Sequence, residues 1–532
     1  PTGFGKSAVA ATVARYLESS HICTATKDLQ GQYTRDFPFI KEIKGKNNFP
    51  CILKEEQGHS ETCEYGPCMK EDEFDCVYKT RLLDYKIQGE KTKFEKIEID
   101  SSKLKMYQEK IKSTLLDVEW KPCHYYHQKW IGIKSSHTIY NYKYFFSDIF
   151  FANTIQKRTL CIFDEAHTIE SEISDFKTFT LYGKSISKLF PRLDIPSSKE
   201  FDIETWSDFC YNLKDNYSKF IVKTIDLLEN KGRLEEPYTE KNLIDAINRE
   251  KILTDLIRDM RNKKNNWLVT NVEKGLGGQI SKVSITPIDT SIYFRDALEV
   301  GSYHLFMSAT ILDKEQLSDI IGIEKNDQVK FIKISDSEFP VENRPIRLMN
   351  VAWLNAKNME SNLPLLARAV DNIMTIHKNE KGIIHTTSYS QLNYIKENLS
   401  KTNRARLIET NPNIDRNLIL SKHYESRVPT VLISPSFYLG LDLKDDLSRF
   451  QIILKVPYPD LRDRKISEIK KINPKWYTWN TIVRLIQAYG RSIRSKDDHA
   501  TTYILDSSVN YLFRESKDMI PKWFSDAILQ KD

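Results

Sequence analysis

The sequence predicts an α/β protein built on two parallel-sheet domains, and three observations predict it. A glycine-containing loop, Pro1 to Ser7, runs straight into Ala8–Leu17, an Ala-rich stretch with apolar residues at helical spacing. A short apolar strand, Thr159 to Phe163, ends on the adjacent carboxylates Asp164 and Glu165. From residue 330 onward, short apolar runs at 382–385, 430–434, 452–456 and 501–505 alternate with helical stretches, as a second βα sheet requires. At 532 residues the chain is several times the usual domain length of roughly 100–200 residues, so more than one core is expected.

Composition removes several classes. Hydrophobic residues make up 40 % and charged residues 29 %, with 8 Trp, 26 Tyr and 25 Phe, which excludes wholesale disorder. The 18 Gly and 19 Pro are too few for collagen-like or low-complexity material. No run of ~18 uncharged apolar residues is present to span a bilayer. The net charge of +6 is too small over this length to indicate nucleic-acid binding, but it permits a local basic channel. The chain opens on Pro1-Thr2-Gly3 with no initiator Met, so it reads as a fragment whose targeting sequence is not observable.

Each element then acquires a chemistry. In the first loop, Gly3 and Gly5 let the backbone and Phe4 approach a phosphate, Lys6 neutralises it, and the Ser7 hydroxyl suits Mg²⁺. The first glycine of the formal pattern would stand immediately before Pro1. Asp164 and Glu165 fall at the carboxyl end of a strand, where ligands of α/β sheets bind. Asp164 would hold Mg²⁺ and Glu165 would orient and deprotonate an attacking water. Arg491 and Arg494 lie three apart on a helix begun by Ile482, and their planar guanidinium groups suit the charge of a γ-phosphoryl transition state. A solvated turn and a basic surface helix are the ordinary readings of the second and third elements, and they lose ground only because the elements occur together.

With these elements in place, the chain resembles superfamily 2 helicases, and within them the XPD/DinG family of iron-sulfur DNA helicases. Asp164-Glu165-Ala166-His167 is similar to the family's DEAH box, and Gln487 to Arg494 to its QxxGRxxR motif. Thr24-Ala25-Thr26-Lys27 through Gln32 resembles motif Ia, Met307-Ser308-Ala309-Thr310 the SAT motif, Gly382 to Tyr389 motif IV, and Ser434 to Asp442 motif V. Motif V departs from the family pattern, reading Leu439-Gly440-Leu441-Asp442 where the family has Glu-Gly-x-Asp, so only Gly440 and Asp442 are carried over as nucleotide-binding positions. The resemblance runs from residue 1 to about 510. It implies two RecA-like parallel-sheet motor domains with an inserted iron-sulfur domain and an inserted helical Arch domain. ATP lies between the motors, and Glu165, Asp164, Lys6, Gln487, Arg491 and Arg494 serve hydrolysis.

Five of the eight cysteines, Cys51, Cys63, Cys68, Cys76 and Cys123, crowd into one stretch. Soft thiolates suit iron-sulfur clusters or zinc, and spacing alone does not choose between them. The resemblance implies a 4Fe-4S cluster here, with Cys51 as first ligand and Cys123 as last. Cys68 and Cys76 are favoured for the middle pair because each stands at a turn or helix start, with Cys63 the alternative ligand. Cys23 and Cys161 lie in apolar strands and read as core thiols.

The remaining assignments follow from the same comparison. Motor domain 1 is expected at 1–44, 131–175 and 291–328, the cluster domain at 45–130, the Arch at 176–290 and motor domain 2 at 329–532. The Arch expectation rests on helical periodicity at Leu213–Leu228 and Leu243–Met260. Thr24, Thr26, Lys27, Ser308 and Thr310 are expected along the DNA track. Tyr142 and Lys143, from the aromatic run 139–146, are expected to contact a single strand, although alternate aromatics more often pack a core. Together these predict a 5′→3′ ATP-dependent DNA helicase using ATP, Mg²⁺ and a 4Fe-4S cluster. Its partners would be single-stranded and forked DNA and DNA-repair proteins; it would be a monomer, in the cytoplasm at the nucleoid and off the membrane. An RNA or RNA–DNA helicase and an ATP-binding scaffold without unwinding activity are the alternatives.

Overall fold

A computed structural model describes residues 5–529 except 70–73, 90–94, 114–118, 197–200, 232–235, 325–327, 411–415, 436–442, 444 and 494. Two parallel sheets dominate it. The first has the order β10-β6-β1-β5-β2, from strands Ser20–Thr24 (β1), Lys41–Ile43 (β2), His137–Asn141 (β5), Arg158–Asp164 (β6) and Gly301–Met307 (β10). Its strands therefore come from three separated stretches of chain. The second has the order β11-β16-β15-β12-β14-β13, from Ile346–Ala352 (β11), Gly382–His385 (β12), Leu407–Glu409 (β13), Val431–Ser434 (β14), Phe450–Ile453 (β15) and Thr501–Asp506 (β16).

The inner strands are buried along their whole length, as parallel strands covered on both faces must be: β1, β12, β14 and β15 have no exposed residue. Polar ties hold the strand ends. The Arg158 guanidinium donates to Ser20 O (2.7 Å), Ser135 O (2.6 Å) and Thr138 Oγ1 (2.8 Å), binding the amino ends of β1, β5 and β6 together. In the second sheet Asp506 accepts from the backbone N–H groups of Leu354, Val456 and Ser508, fixing the carboxyl ends. Gly382 admits the Phe450 ring, which a Cβ at that position would meet at 2.5 Å.

Two insertions leave the first motor. The cysteine-rich segment carries the antiparallel pair Tyr85–Gln88 (β3) and Lys96–Ile99 (β4) and the helix Ser101–Ser113. The segment after β6 carries the long helices Ile203–Lys231 and Glu240–Asn262 at the two expected periodicities. It is not wholly helical: Phe179–Tyr182 (β7), Trp267–Lys274 (β8) and Ile280–Pro287 (β9) form an antiparallel sheet of order β7-β9-β8. The two insertions touch. Lys54 Nζ lies 3.4 Å from Glu240, Tyr65 OH donates to Asp245 at 3.4 Å, and Lys241 stands over the Tyr65 ring. At its other end the helix Glu240–Asn262 returns to the motor, where Asp255 and Asp259 pair with the buried Lys177. Among the described residues no helix is long and apolar enough to cross a membrane.

The two motors meet through the helices Arg464–Ile472 and Pro474–Tyr489. Lys465 Nζ donates to Glu170 (2.7 Å) and Ser174 (2.6 Å), Trp479 Nε1 to Ile311 O (2.8 Å), and Lys475 pairs with Asp313.

Candidate active site

A cleft of about 1360 Å³ opens at the carboxyl end of the first sheet and is lined from both motors, by Lys6, Glu165 and His167 on one side and Arg484, Gln487 and Arg491 on the other. Lys6 follows Gly5, whose φ of 71° lies in the left-handed region where a side chain is strained, and whose carbonyl accepts the N–H groups of Ala8 and Val9. The helix Lys6–Tyr16 that follows buries Ala10, Ala11 and Ala14; these small side chains let its axis sit close to the sheet. Lys6 is thereby carried over the end of β6, with Nζ 3.9 Å from Glu165 Oε1. Gly3 and Phe4, with Gly440, Asp442 and Arg494, lie outside the described residues.

Both carboxylates are held at defined positions. Asp164 Oδ1 accepts the Glu165 N–H (2.9 Å) and Oδ2 accepts the Tyr33 hydroxyl (2.8 Å). Burial and the neighbouring Glu165 charge push the Asp164 carboxyl above its ordinary range, against Lys6 and Tyr33. At Glu165 burial acts the same way, but the hydrogen bond and charge of His167, the Lys6 charge and the Ser308 hydroxyl outweigh it and hold the group well below the usual range. Glu165 is therefore an anion with a cation beside it and room for a water, the arrangement a general base needs. It also has a φ of 53°, an uncommon conformation for a residue with a side chain.

From Glu165 a chain of hydrogen bonds crosses the cleft. Ser308 Oγ donates to Glu165 Oε2 (3.1 Å), lies 2.7 Å from His167 Nδ1 and 3.2 Å from Thr310 Oγ1. Gln487 Nε2 then donates to Thr310 Oγ1 (3.0 Å), and Arg491 Nη2 donates to Gln487 Oε1 (2.9 Å). One end of this relay is on the first motor and the other on the second. Arg491 also reaches the buried His385 electrostatically; burial first and then the Arg491 charge push that imidazole down to about 3, so it is neutral.

The structure separates the expected DNA-track residues into two groups. Thr26 accepts the Leu29 N–H as the N-cap of helix Lys27–Asp36, and Lys27 Nζ donates to Asn48 at 2.6 Å. Lys143 is exposed. Tyr142, by contrast, is wholly buried: its ring stacks on Phe146 and Phe163, and its hydroxyl donates to Asp164 O (2.9 Å). The aromatic run turns from strand to helix at Asn141, so Tyr142 packs the core and no base can stack on it. Thr24 and Thr310 are buried as well, Thr24 donating to Tyr140 O, and Ser308 and Thr310 belong to the relay. Sequence reading missed Tyr33 and Gln30, the two buried residues of the helix Lys27–Asp36; Gln30 ties that helix to Ile43 O and Ile139 O.

The five clustered cysteines line one small cavity with Ile52, Leu53, Pro67, Tyr78, Lys79 and Tyr126. Backbone ties place them there: Cys51 N–H donates to Glu61 O, Cys63 N–H to Phe49 O and Cys123 N–H to Tyr78 O. Cys63 and Cys123 sulfurs are 3.8 Å apart. Among the described residues no group of three or more His, Cys, Asp or Glu stands in the geometry of a metal-ion site. The thiols surround a space instead of meeting at a point, and a sulfur-rich, largely apolar lining is the donor chemistry an iron-sulfur cluster takes. Cys23, Cys161 and Cys210 are buried.

Two parallel-sheet motors with a phosphate-loop helix, an acidic pair and a cross-cleft relay define a nucleotide-driven motor of the helicase class. A family model for the helicase C-terminal domain matches residues 371–527, and the DEAD_2 model matches residues 41–186. A solved structure named XPD helicase aligns over 99 % of this chain and 98 % of its own at 15 % identity, with a TM-score of 0.55. A second, named XPD apo, aligns over 97 % and 94 % at 14 % identity, with a TM-score of 0.57. At such identities they speak for the fold alone. The regulator of telomere elongation helicase 1 homolog of Caenorhabditis elegans is 29 % identical over 111 residues, 18 % of this chain and 11 % of that protein, so the match spans a small part of its length. The chain thus carries a DEAD_2 domain and a helicase C-terminal domain on the fold of the XPD helicase structures.

Proposed function

We propose that this protein is an ATP-dependent DNA helicase that moves 5′→3′ along single-stranded DNA and unwinds forked duplexes in DNA repair. The observation that carries the reading is the relay from Glu165 through Ser308, Thr310 and Gln487 to Arg491, which ties a water-activating carboxylate on one motor to a phosphate-seeking guanidinium on the other. Gly5, Lys6 and Ser7, with Gly3 and Phe4, cradle the phosphates. Asp164 and Ser7 would hold Mg²⁺, which when bound neutralises charge on the β- and γ-phosphoryl oxygens. Glu165 takes the proton of the attacking water, and Arg491 and Arg494 steady the charge that develops on the γ-phosphoryl group when the motors close. Gly440 and Asp442 complete the nucleotide site from motif V. Thr26, Lys27 and Lys143 face the single strand; Thr24, Ser308 and Thr310 act behind it. Polarity and repair role come from the family resemblance, as do a monomeric state, repair-protein partners and a place in the cytoplasm at the nucleoid.

The cysteine cavity is proposed to hold a 4Fe-4S cluster on Cys51, Cys68, Cys76 and Cys123, with Cys63 the alternative ligand and zinc the alternative occupant. When bound, such a cluster would cross-link the loops of residues 45–130 through Fe–S bonds. The test of the whole reading is strand displacement on DNA forks with 5′ or 3′ tails, alongside hydrolysis stimulated by single-stranded DNA or RNA. Displacement from the 5′ tail with stimulation by DNA is expected; stimulation by RNA alone overturns the DNA assignment, and stimulation without displacement leaves the scaffold reading.

A further inference from the structure

We infer that Tyr33 is a positioning residue for the divalent cation: its hydroxyl, donated to Asp164, fixes the Asp164 carboxylate in the orientation that the cation requires. The inference rests on the assignment of Ser7 and Asp164 to Mg²⁺ in the proposed function.

Tyr33 has no exposed surface and packs among Ala10, Ala11, Ile22, Ile139 and Ile162, on the helix-covered face of the first sheet. A phenylalanine would satisfy that environment, and burying a hydroxyl there costs free energy unless it is hydrogen-bonded. The hydroxyl does find a partner, and it belongs to the cation site: it donates to Asp164 Oδ2 at 2.8 Å. The other Asp164 oxygen accepts the Glu165 N–H at 2.9 Å. A carboxylate held at both oxygens cannot rotate about its Cβ–Cγ bond. Each oxygen keeps a free lone pair, and Mg²⁺, which demands near-ideal octahedral geometry and retains several waters, gains from an acceptor that is already aimed.

The same helix begins at Thr26 and is clamped to β2 and β5 by Gln30, so Tyr33 cannot follow a wandering side chain. The helix that starts in motif Ia thus ends one turn beyond a contact with the cation carboxylate.

The test is Tyr33→Phe in the full chain, which keeps the ring and removes the oxygen. Binding of a fluorescent ADP analogue is titrated in EDTA and against Mg²⁺, and Mn²⁺ binding to the nucleotide complex is followed by electron paramagnetic resonance. Affinity in EDTA is expected to be unchanged, while the Mg²⁺ concentration for half-maximal effect rises roughly tenfold, the size of one charge-assisted hydrogen bond. In an Asp164→Asn background the Tyr33→Phe change should add nothing. Mg²⁺ and Mn²⁺ curves that superpose on wild type, or an undiminished effect in the Asp164→Asn background, overturn the inference. Ser7→Ala separates the two levels: if it too leaves the Mg²⁺ curve unmoved, the phosphate-loop assignment fails first.

Discussion

The nucleotide cleft and the cysteine cavity are built on opposite terms. In the cleft, charged and polar groups already face their complements: Lys6 meets Glu165, Tyr33 meets Asp164, and Gln487 bridges Thr310 and Arg491. In the cavity, the groups are neutral thiols against apolar walls. Burial pushes Cys51 and Cys68 up and drives Cys76 to about 11, so these three carry no charge near neutrality. Cys123 is the exception: the Cys63 hydrogen bond, against burial and with help from the Tyr126 and Tyr125 N–H groups, brings it down to about 7. The cleft's geometry is carried by contacts between charged and polar groups, whereas the cavity is closed by apolar packing around thiols.

The largest expected effect breaks the cleft alone. Lys6→Ala removes the cation beside Glu165 and should lower DNA-stimulated ATP hydrolysis by at least about 100-fold, with a melting temperature close to wild type because the side chain is partly exposed. Retained hydrolysis would sink the phosphate-loop assignment. Next in size is the complementary break. In Cys123→Ser, or after oxidative removal of the bound metal, residues 45–130 should become rapidly cleavable by protease while both parallel sheets stay protected, since a metal-coupled region folds with its metal. Protein that stays equally resistant after metal loss would show that the apolar contacts of Tyr107, Ile111, Trp120 and Tyr125 suffice to hold the region. Cys63→Ala serves as the companion, expected to keep its iron and sulfide content if Cys51, Cys68, Cys76 and Cys123 are the ligands.

A smaller effect lies in the relay. Gln487→Ala cuts the bridge that Gln487 makes between Thr310 and Arg491 while leaving Lys6, Ser7 and Asp164 in place. A roughly tenfold fall in kcat with nucleotide affinity unchanged is expected, the signature of an interaction that matters only when the motors close. Weaker nucleotide binding with normal kcat would assign Gln487 to ground-state binding instead.

How far the sequence disclosed these two regions follows from what each residue must do. The placement of Gly5, Lys6 and the Asp164-Glu165 pair was legible because each stands at a fixed offset from a strand or helix end, and the structure brings Lys6 to Glu165. The five cysteines were legible as a cluster, but nothing local distinguishes a ligand from its neighbour. Tyr33 was not legible, because its partner is 131 residues away and only the sheet order brings them together. Tyr142 was misplaced because a run of aromatics reads alike on a strand and on a buried helix, and the Asn141 N-cap decides between them. The β8–β9 hairpin was overlooked although Gly275, Gly277 and Gly278 punctuate two alternating runs, because the helices on its amino-terminal side set the expectation for the whole insertion.

The smallest effect concerns the rim, where the comparison meets a third condition: an acid that is neither matched like Glu165 nor neutral like the thiols. Glu172 lines the cleft beside Asp175, and burial, eased by Lys143 and renewed by Asp175, raises its carboxyl to about 7. Unfolded, it would titrate near about 4.3. Between these two values the folded chain holds a proton that the unfolded chain has lost, so the stability contributed by the raised group is fully present below about 4.3 and is lost as pH rises through about 7. Glu172→Gln fixes the neutral state. It should therefore match wild type in thermal unfolding at pH 4 and exceed it at pH 8 by roughly 1 kcal/mol, after allowance for the solvent that reaches the rim. Adding Lys143→Ala to wild type should widen that gap, since the lysine is the group that favours the charged form. A gap that is the same at both pH values would mean that the substitution acts through packing and that Glu172 titrates normally in the fold.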